Sequence, residues 1–478
     1  MFLFLSVSAG ARVLRVGPAE TLTLPSQAAA VAQHGDTIEI AAGSYTDCAT
    51  WNHDNLLIRG IGGYAHVRDR ACGGKAIWVI RGRNTTVEWI EFSGATVPDR
   101  NGAGIRQEGV HLTVRHCRFH DNENGILAGD NVTSSILIEF TEFDRNGYGD
   151  GYSHNMYINH VKEFEIRYSH VRRARIGHNI KSRAHATRVI ANLITSEADG
   201  TNSRAIDVPN GGDVLVLGNA MHHGPRTNNS NVIGYGLEGL SNPSPHTLVV
   251  ASNTIVSERG GSFVSTPALD SGSVTILNNL LVGGSAIWTG QSHVRDIRTS
   301  AVTTLSAAAF LDAAAYDYRL RSASIAVNAA PVPARQLPSP LVPRSEYQHP
   351  LDRRVRVDDG VLDAGAFEFV PLTEASPPPV RPSALTIDDI WPHPASLTRD
   401  DVIRLKVTAL RDELLRITVT DLLGRAVAVR ETHMVTGAWI VAAWDLRDGT
   451  GNLVMPGVYH VGLSAGAYSA TRSVVVVR

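Results

Sequence analysis

The chain has 478 residues and balances 44 Lys and Arg against 46 Asp and Glu, so bulk charge excludes a nucleic-acid binder. Only 19% of its residues are charged, and 43 Gly with 22 Pro break it often, which excludes a helical bundle and points to a sheet-rich chain. The length suits two or three domains, or one large repeat domain with an appendage.

Residues 1–12 open MFLFLSVSAGA, a short apolar run followed by small residues, and are predicted to be a truncated signal segment. No later stretch supplies about 20 uninterrupted apolar residues, so no membrane span is expected. Cys48 and Cys72 lie 24 residues apart, close to one period of the repeat below. That spacing leaves open a disulfide between neighbouring coils or two buried thiols. Cys117 falls at an inward repeat position and reads as a core residue.

From residue 90 onward, apolar triplets recur: Ile90-Glu91-Phe92, Cys117-Arg118-Phe119, Thr141-Glu142-Phe143, Ser169-His170-Val171 and Asn192-Leu193-Ile194. Asn219-Ala220-Met221, Asn253-Thr254-Ile255 and Asn279-Leu280-Leu281 follow, at steps of 23 to 34 residues throughout. In–out–in triplets at such a period, separated by Gly and Asn, predict a stacked solenoid. Asn at the first slot of the last four predicts an inward amide ladder that satisfies buried backbone groups. A second strand follows each triplet, centred on Ile105, Ile126, Met156, Ile180, Ile206 and Ile233, with Ile77 and Phe263 at either end. A propeller is the alternative, but its blades need about 40 residues. Residues after 290 read as a short helical or loop excursion that either closes the open end or walls a cleft.

GDTIEIAAGSYTD at 35–47 resembles the opening coil of the pectate-lyase-like right-handed parallel β-helix proteins, and RVRVDDGVLDAGAFEF at 354–369 is similar to their closing segment. The resemblance implies a right-handed parallel β-helix over 13–370; the superfamily holds lyases, hydrolases, epimerases and non-enzymes. Residues 371–384 are a Pro-rich linker. Residues 385–478 carry alternating strands joined by Gly and Asp-Gly turns. They resemble the immunoglobulin-like sorting tail of type-nine-secreted proteins and the flagellar hook-cap module. His393 stands where that tail usually has Asn. This resemblance implies export through outer-membrane secretion machinery, to the surface or exterior of a Gram-negative cell. Trp444, Asp445 and Asp448 then read as turn and core residues.

Aligned second strands place Trp78, Arg106, Leu127, Tyr157, Lys181, Asp207 and Gly234 in one outward column. Glu108, Gly129, Asn159, Arg183 and Pro209 form the next. Coils stack about 4.8 Å apart, so Tyr157, Lys181 and Asp207 should adjoin. His154 and His178 occupy matched positions just before the strand. Residues 172–188 hold Arg172, Arg173, Arg175, Lys181, Arg183 and Arg188 with no Asp or Glu, a basic strip that favours an anionic ligand over a merely solvated face.

For a uronate polymer, β-elimination needs a base, a cation for the carboxylate and an acid for the leaving oxygen. Lys181 or Arg183 fits the base, the other the carboxylate, and Tyr157 or His178 the acid. KSRAHATRVIANLI resembles the Lys-Ser coil of alginate-lyase and chondroitinase-B-type β-helix lyases, where that lysine is the base. Those enzymes hold calcium with two glutamates shortly before it; Ala174 and Ile176 stand there. Asp207 completes the catalytic candidates, and substrate contacts are assigned to Arg106, His154, Asn155, Asn159, Arg204, Arg226 and Glu238. Asp121, Asn122 and Asn124 read as a coil turn, with a calcium loop as the alternative. No other metal or cofactor is expected.

The favoured reading is a secreted, monomeric lyase acting on an acidic polysaccharide. Hydrolysis through Asp207 and Glu238 stands second. A non-catalytic glycan-binding or structural solenoid stands third.

Overall fold

The computed structural model describes residues 12–357, 360–371, 386–391, 395–397, 402–408, 414–421, 425–433, 440–465 and 468–478. The signal segment up to residue 11, nearly all of the 371–384 linker and His393 lie outside the described residues. The chain forms two compact units, 1–371 and 372–478.

The first unit is a parallel β-solenoid of 27 strands, each pairing with the third strand after it through most of its length. Through that stretch each coil has three strands, where the sequence showed two; near the ends they merge into longer ones, as in Ser262–Val282. The triplets stack in the expected register, Glu91 on Arg118, then Glu142, His170, Leu193, Ala220, Thr254 and Leu280. The second sheet aligns Ile105, Ile126, Ile180, Ile206 and Ile233 inward. The third sheet includes Val110–Arg115, Asn131–Glu139, Val161–Arg167, Ala186–Ile190, Asp213–Leu217 and Thr247–Ala251. It runs into the triplet sheet with one or two residues between, so its alternation merges with the triplet's in the sequence. At that corner His116, Phe140, Tyr168 and Ala191 take positive φ of 48–55°. Their successors Cys117, Thr141, Ser169 and Asn192 point inward and are fully buried.

A left-handed residue interrupts the strand ladder, so the next backbone groups need side-chain partners. The asparagines supply them. Asn192 Nδ2 donates to Asn219 Oδ1 (2.9 Å), Asn219 Nδ2 to Asn253 Oδ1 (3.0 Å), and Asn253 Nδ2 to Asn279 Oδ1 (2.9 Å). Inside the coils, Phe92, Phe119 and Phe143 stack at 4.9 and 4.8 Å. Gly125 is required beside them, since a Cβ there would fall 2.4 Å from the Asn155 carbonyl and 2.8 Å from the Phe143 ring.

Cys48 and Cys72 form a disulfide between neighbouring coils, with Cα atoms 5.5 Å apart. Replacing both by Ala is expected to cost about 3 kcal/mol through loop closure, read as a lower thermal midpoint without reductant. An unchanged midpoint would mean the flanking strands alone hold the loop.

The segment after residue 305 folds back along the solenoid. Ala308, Phe310, Tyr318, Tyr347 and Phe367 pack on Leu193, Ala220, Val256 and Leu280 of the triplet sheet. Val332, Leu337 and Leu362 pack on Leu217, Ala251 and Leu277 of the third. This covering explains why outward triplet positions turn from Glu91, Arg118 and Glu142 to Leu193, Ala220 and Leu280. Gly365 (φ 99°) lies so close to the sheet that a Cβ would sit 2.5 Å from Thr254 Oγ1. The excursion thus belongs to these two sheets, and these packing clusters do not include the second.

The second unit holds a three-stranded antiparallel sheet and a five-stranded, mostly antiparallel one. Trp444 is fully buried among Leu415, Ile417, Tyr459 and Val461, and Asp448 accepts backbone N–H bonds from Thr450 and Asn452 in a turn. Core and turn roles for these residues follow.

Candidate active site

Three three-residue strands, Met156–Ile158, Ile180–Ser182 and Ile206–Val208, carry the site. Each buries its first and third side chains in the core and turns its middle one out. The register is Tyr157 on Lys181 on Asp207 on Gly234, as the column requires. Two ends of the alignment need correction. Trp78 pairs with Ile105 and is buried against Trp51 and Phe92, so Val79 takes the outward place beside Arg106. Val264, not Phe263, pairs with Ile233. All of Ala76–Ile80 is buried, which erased the alternation that would have shown the register.

Around this column the charges converge. Glu238 enters from the loop after strand Asn231–Tyr235, its N–H bonded to the Pro209 carbonyl. Its carboxylate bridges Lys181 Nζ (3.0 Å) and Arg183 Nη2 (2.5 Å). Arg183 Nε donates to Tyr157 Oη (2.8 Å), and Arg183 also bonds Asn210 Oδ1. Lys181 Nζ lies 3.8 Å from Asp207 Oδ2, and Arg204 Nη1 donates to Asp207 Oδ1 (2.9 Å). The Lys181 side chain is 12% exposed, Asp207 2% and Glu238 47%.

Burial raises the Asp207 carboxyl above the usual range, against the pull of Arg204 and Lys181. For Glu238, partial burial pushes upward, but the hydrogen bonds from Arg183 and Lys181 win and hold its carboxyl low. Burial works against the Arg183 guanidinium too; its bonds to Glu238 and Tyr157 outweigh that and keep it charged. Asn210 opens a tight turn, with Gly211 and Gly212 at φ of 70° and 102°, and its Oδ1 fixes Arg183.

Several assigned residues have other duties. His178 Nδ1 accepts the Arg204 backbone N–H (3.1 Å), and His154 Nδ1 accepts that of His178 (3.0 Å). The two rings stack 5.1 Å apart. Burial pulls the His178 imidazole down to about 3 and also depresses His154. His178 is therefore neutral above that range, with its Nε2 3.4 Å from Asp207 Oδ2. Asn155 is not a substrate contact: fully buried, it continues a second amide ladder from Asn122 through Asn146 to Asn179. The same ladder absorbs Asn122, and Asp121 is taken by Arg145, Arg175 and His120, so HDNENG offers no calcium loop. Arg106 lies in the right column but two coils from Tyr157, across Leu127. Asn159 is half-buried and caps the His160 N–H, and Arg226 is exposed in the loop after His223.

The basic strip does not act as one field. Arg172 pairs with Glu142 and Glu197, Arg173 with Asp144 and Glu197, Arg175 with Asp121, and Arg188 with Asp213. Those acids come from other coils, where linear counting could not see them. Only Lys181 and Arg183 of the six belong to the site. The Asp207–Glu238 pair does not fit hydrolysis either, because Lys181 Nζ lies between the two carboxylates and Asp207 is below the surface. Calcium, which the lyase resemblance would bring, finds no matching donors beside Lys181: Ala174 and Ile176 offer none, and the nearby carboxylates are engaged by cations. A cavity of about 910 Å³ lies elsewhere, over the triplet sheet, lined by His222, Glu258, Val282 and Tyr316.

No family model matches the chain, and no curated protein matches it by sequence. Among solved structures, pectate lyase Pel9A is similar over 75% of this chain and 97% of its own, at 13% identity and a TM-score of 0.49. The pectin methylesterase from Aspergillus niger is similar over 61% of this chain and 86% of its own, at 11% identity and a TM-score of 0.28. Both likenesses are distant, and the parallel solenoid is established by the strand pairing of this chain itself.

Proposed function

We propose that the chain is a polysaccharide lyase that cleaves a uronate-containing polymer by β-elimination on the second sheet. One observation carries this: the Glu238 carboxylate is held between Lys181 and Arg183, beside the Tyr157 hydroxyl, as a substrate carboxylate would be. Arg183, kept charged by its partners, holds the uronate carboxylate. Lys181 takes the C5 proton. The electron pair forms the C4–C5 double bond and expels the C4 oxygen, which takes the Tyr157 proton. Because Arg183 Nε donates to Tyr157 Oη, the hydroxyl proton is directed away from Arg183. Asp207, Arg204 and His178 hold Lys181 in place from below.

The C-terminal unit supplies none of these groups. Its resemblance to sorting tails supports export across a Gram-negative envelope as its role.

Incubation with pectate, alginate and glycosaminoglycans, followed by ultraviolet absorbance of the unsaturated uronate, tests the reading. Product on one of these polymers supports it. New reducing ends without that absorbance would indicate hydrolysis, and binding without turnover a scaffold. If Glu238 competes with the substrate carboxylate, Glu238→Gln should lower KM about three- to tenfold with little change in kcat. A higher KM with a lower kcat would show instead that Glu238 orients the two cations.

A further inference from the structure

The outward face of the triplet sheet carries a second cluster that the lyase reading does not use. His66, Glu91 and His120 come from three successive coils, on strands Leu57–Asp69, Ile90–Ser93 and Arg118–His120. His120 Nε2 lies 2.9 Å from Glu91 Oε1, and His66 Nε2 lies 4.0 Å from the same oxygen. The three donor atoms all fall within 4.8 Å of one another. Ser93 Oγ is 2.7 Å from His66 Nε2, which adds a fourth donor beside the cluster. The side chains are 20–29% exposed, enough for an ion to enter.

We propose that His66, Glu91 and His120 bind one zinc-class divalent transition-metal ion, which clamps three coils together. Two imidazole nitrogens and one carboxylate oxygen are the donor set such ions prefer. Tetrahedral ligation at about 2.1 Å puts neighbouring donors about 3.4 Å apart, and the observed 2.9 and 4.0 Å straddle that spacing. Parallel pairing of Glu91 with both His66 and Arg118 fixes the backbone beneath, so only small side-chain rotations are needed. Asp121 Oδ2 lies 3.0 Å from His120 Nδ1 and leaves Nε2 facing the cluster, the outer carboxylate that histidine ligands commonly have. The fourth position falls to Ser93 or to water. The ordinary reading of the cluster is an ion-paired surface network. Against it, both imidazoles aim the same ring nitrogen at the Glu91 carboxylate, and the three side chains come from three different coils.

Zinc chloride titrated calorimetrically into the chelator-treated full chain should show one site with Kd of about 1 µM or tighter. His66→Ala and His120→Ala should each weaken it at least about tenfold and abolish any zinc-induced rise in Tm. Cobalt chloride added to the unmodified chain should give the visible absorption of a tetrahedral or five-coordinate ion. Absence of that absorption, or zinc binding unmoved by both substitutions, overturns the proposal. The cobalt spectrum decides even if a variant fails to fold, and neither readout depends on the polysaccharide.

Discussion

Lys181→Ala is expected to lower the rate of unsaturated-product formation about 10³-fold, the range set by loss of a positioned general base. The side chain stands on a strand whose neighbours Ile180 and Ser182 are fully buried, so truncation should leave the coil intact. No other amine lies in the cluster. Tyr157→Phe keeps the ring and removes the hydroxyl, and should cost about 10²-fold in kcat if Tyr157 protonates the leaving oxygen. Initial rates by ultraviolet absorbance, with circular dichroism to establish folding, measure both. Full activity in Lys181→Ala would sink the assignment of the base. Full activity in Tyr157→Phe would return the acid to solvent, since His178 is neutral and turned toward Asp207.

The largest stability effect should come from Asn219→Ala. Asn219 is fully buried and donates to Val189 O (2.8 Å), Leu217 O (3.2 Å) and Asn253 Oδ1 (3.0 Å). Its Oδ1 accepts from Asn192 N and Nδ2. Alanine leaves several of these groups without partners in a dry interior, where each unsatisfied group costs about 1–3 kcal/mol. A total on the order of 4 kcal/mol is expected, since a small cavity adds to the loss and relaxation recovers part. Denaturant titration measures it, and hydrogen exchange should show the loss centred on the coils around Asn192 and Asn253. A change below about 1 kcal/mol would mean that water replaces the amide, and the ladder would then be ornamental to stability.

The triplets and the asparagine ladder were legible because each recurs at the same place in every coil, and a parallel stack converts such recurrence into contact. Tyr157, Lys181 and Asp207 were found the same way. The third sheet escaped because a single left-handed residue, such as His116 or Phe140, turns the chain into the triplet and leaves no turn signal. Trp78 was misplaced because Ala76–Ile80 is buried on both faces and carries no alternation.

What the sequence alone determined was the solenoid, the triplet register and the middle of the outward column, because period and in–out alternation are properties of the chain taken one coil at a time. Which charges remain available was decided only in three dimensions. Arg172, Arg173, Arg175 and Arg188 look like one basic field in the chain, yet each meets an acid from another coil or loop. Coulomb pairing depends on distance across the stack and not along the chain, so linear counting found the cations and missed the carboxylates that neutralise them.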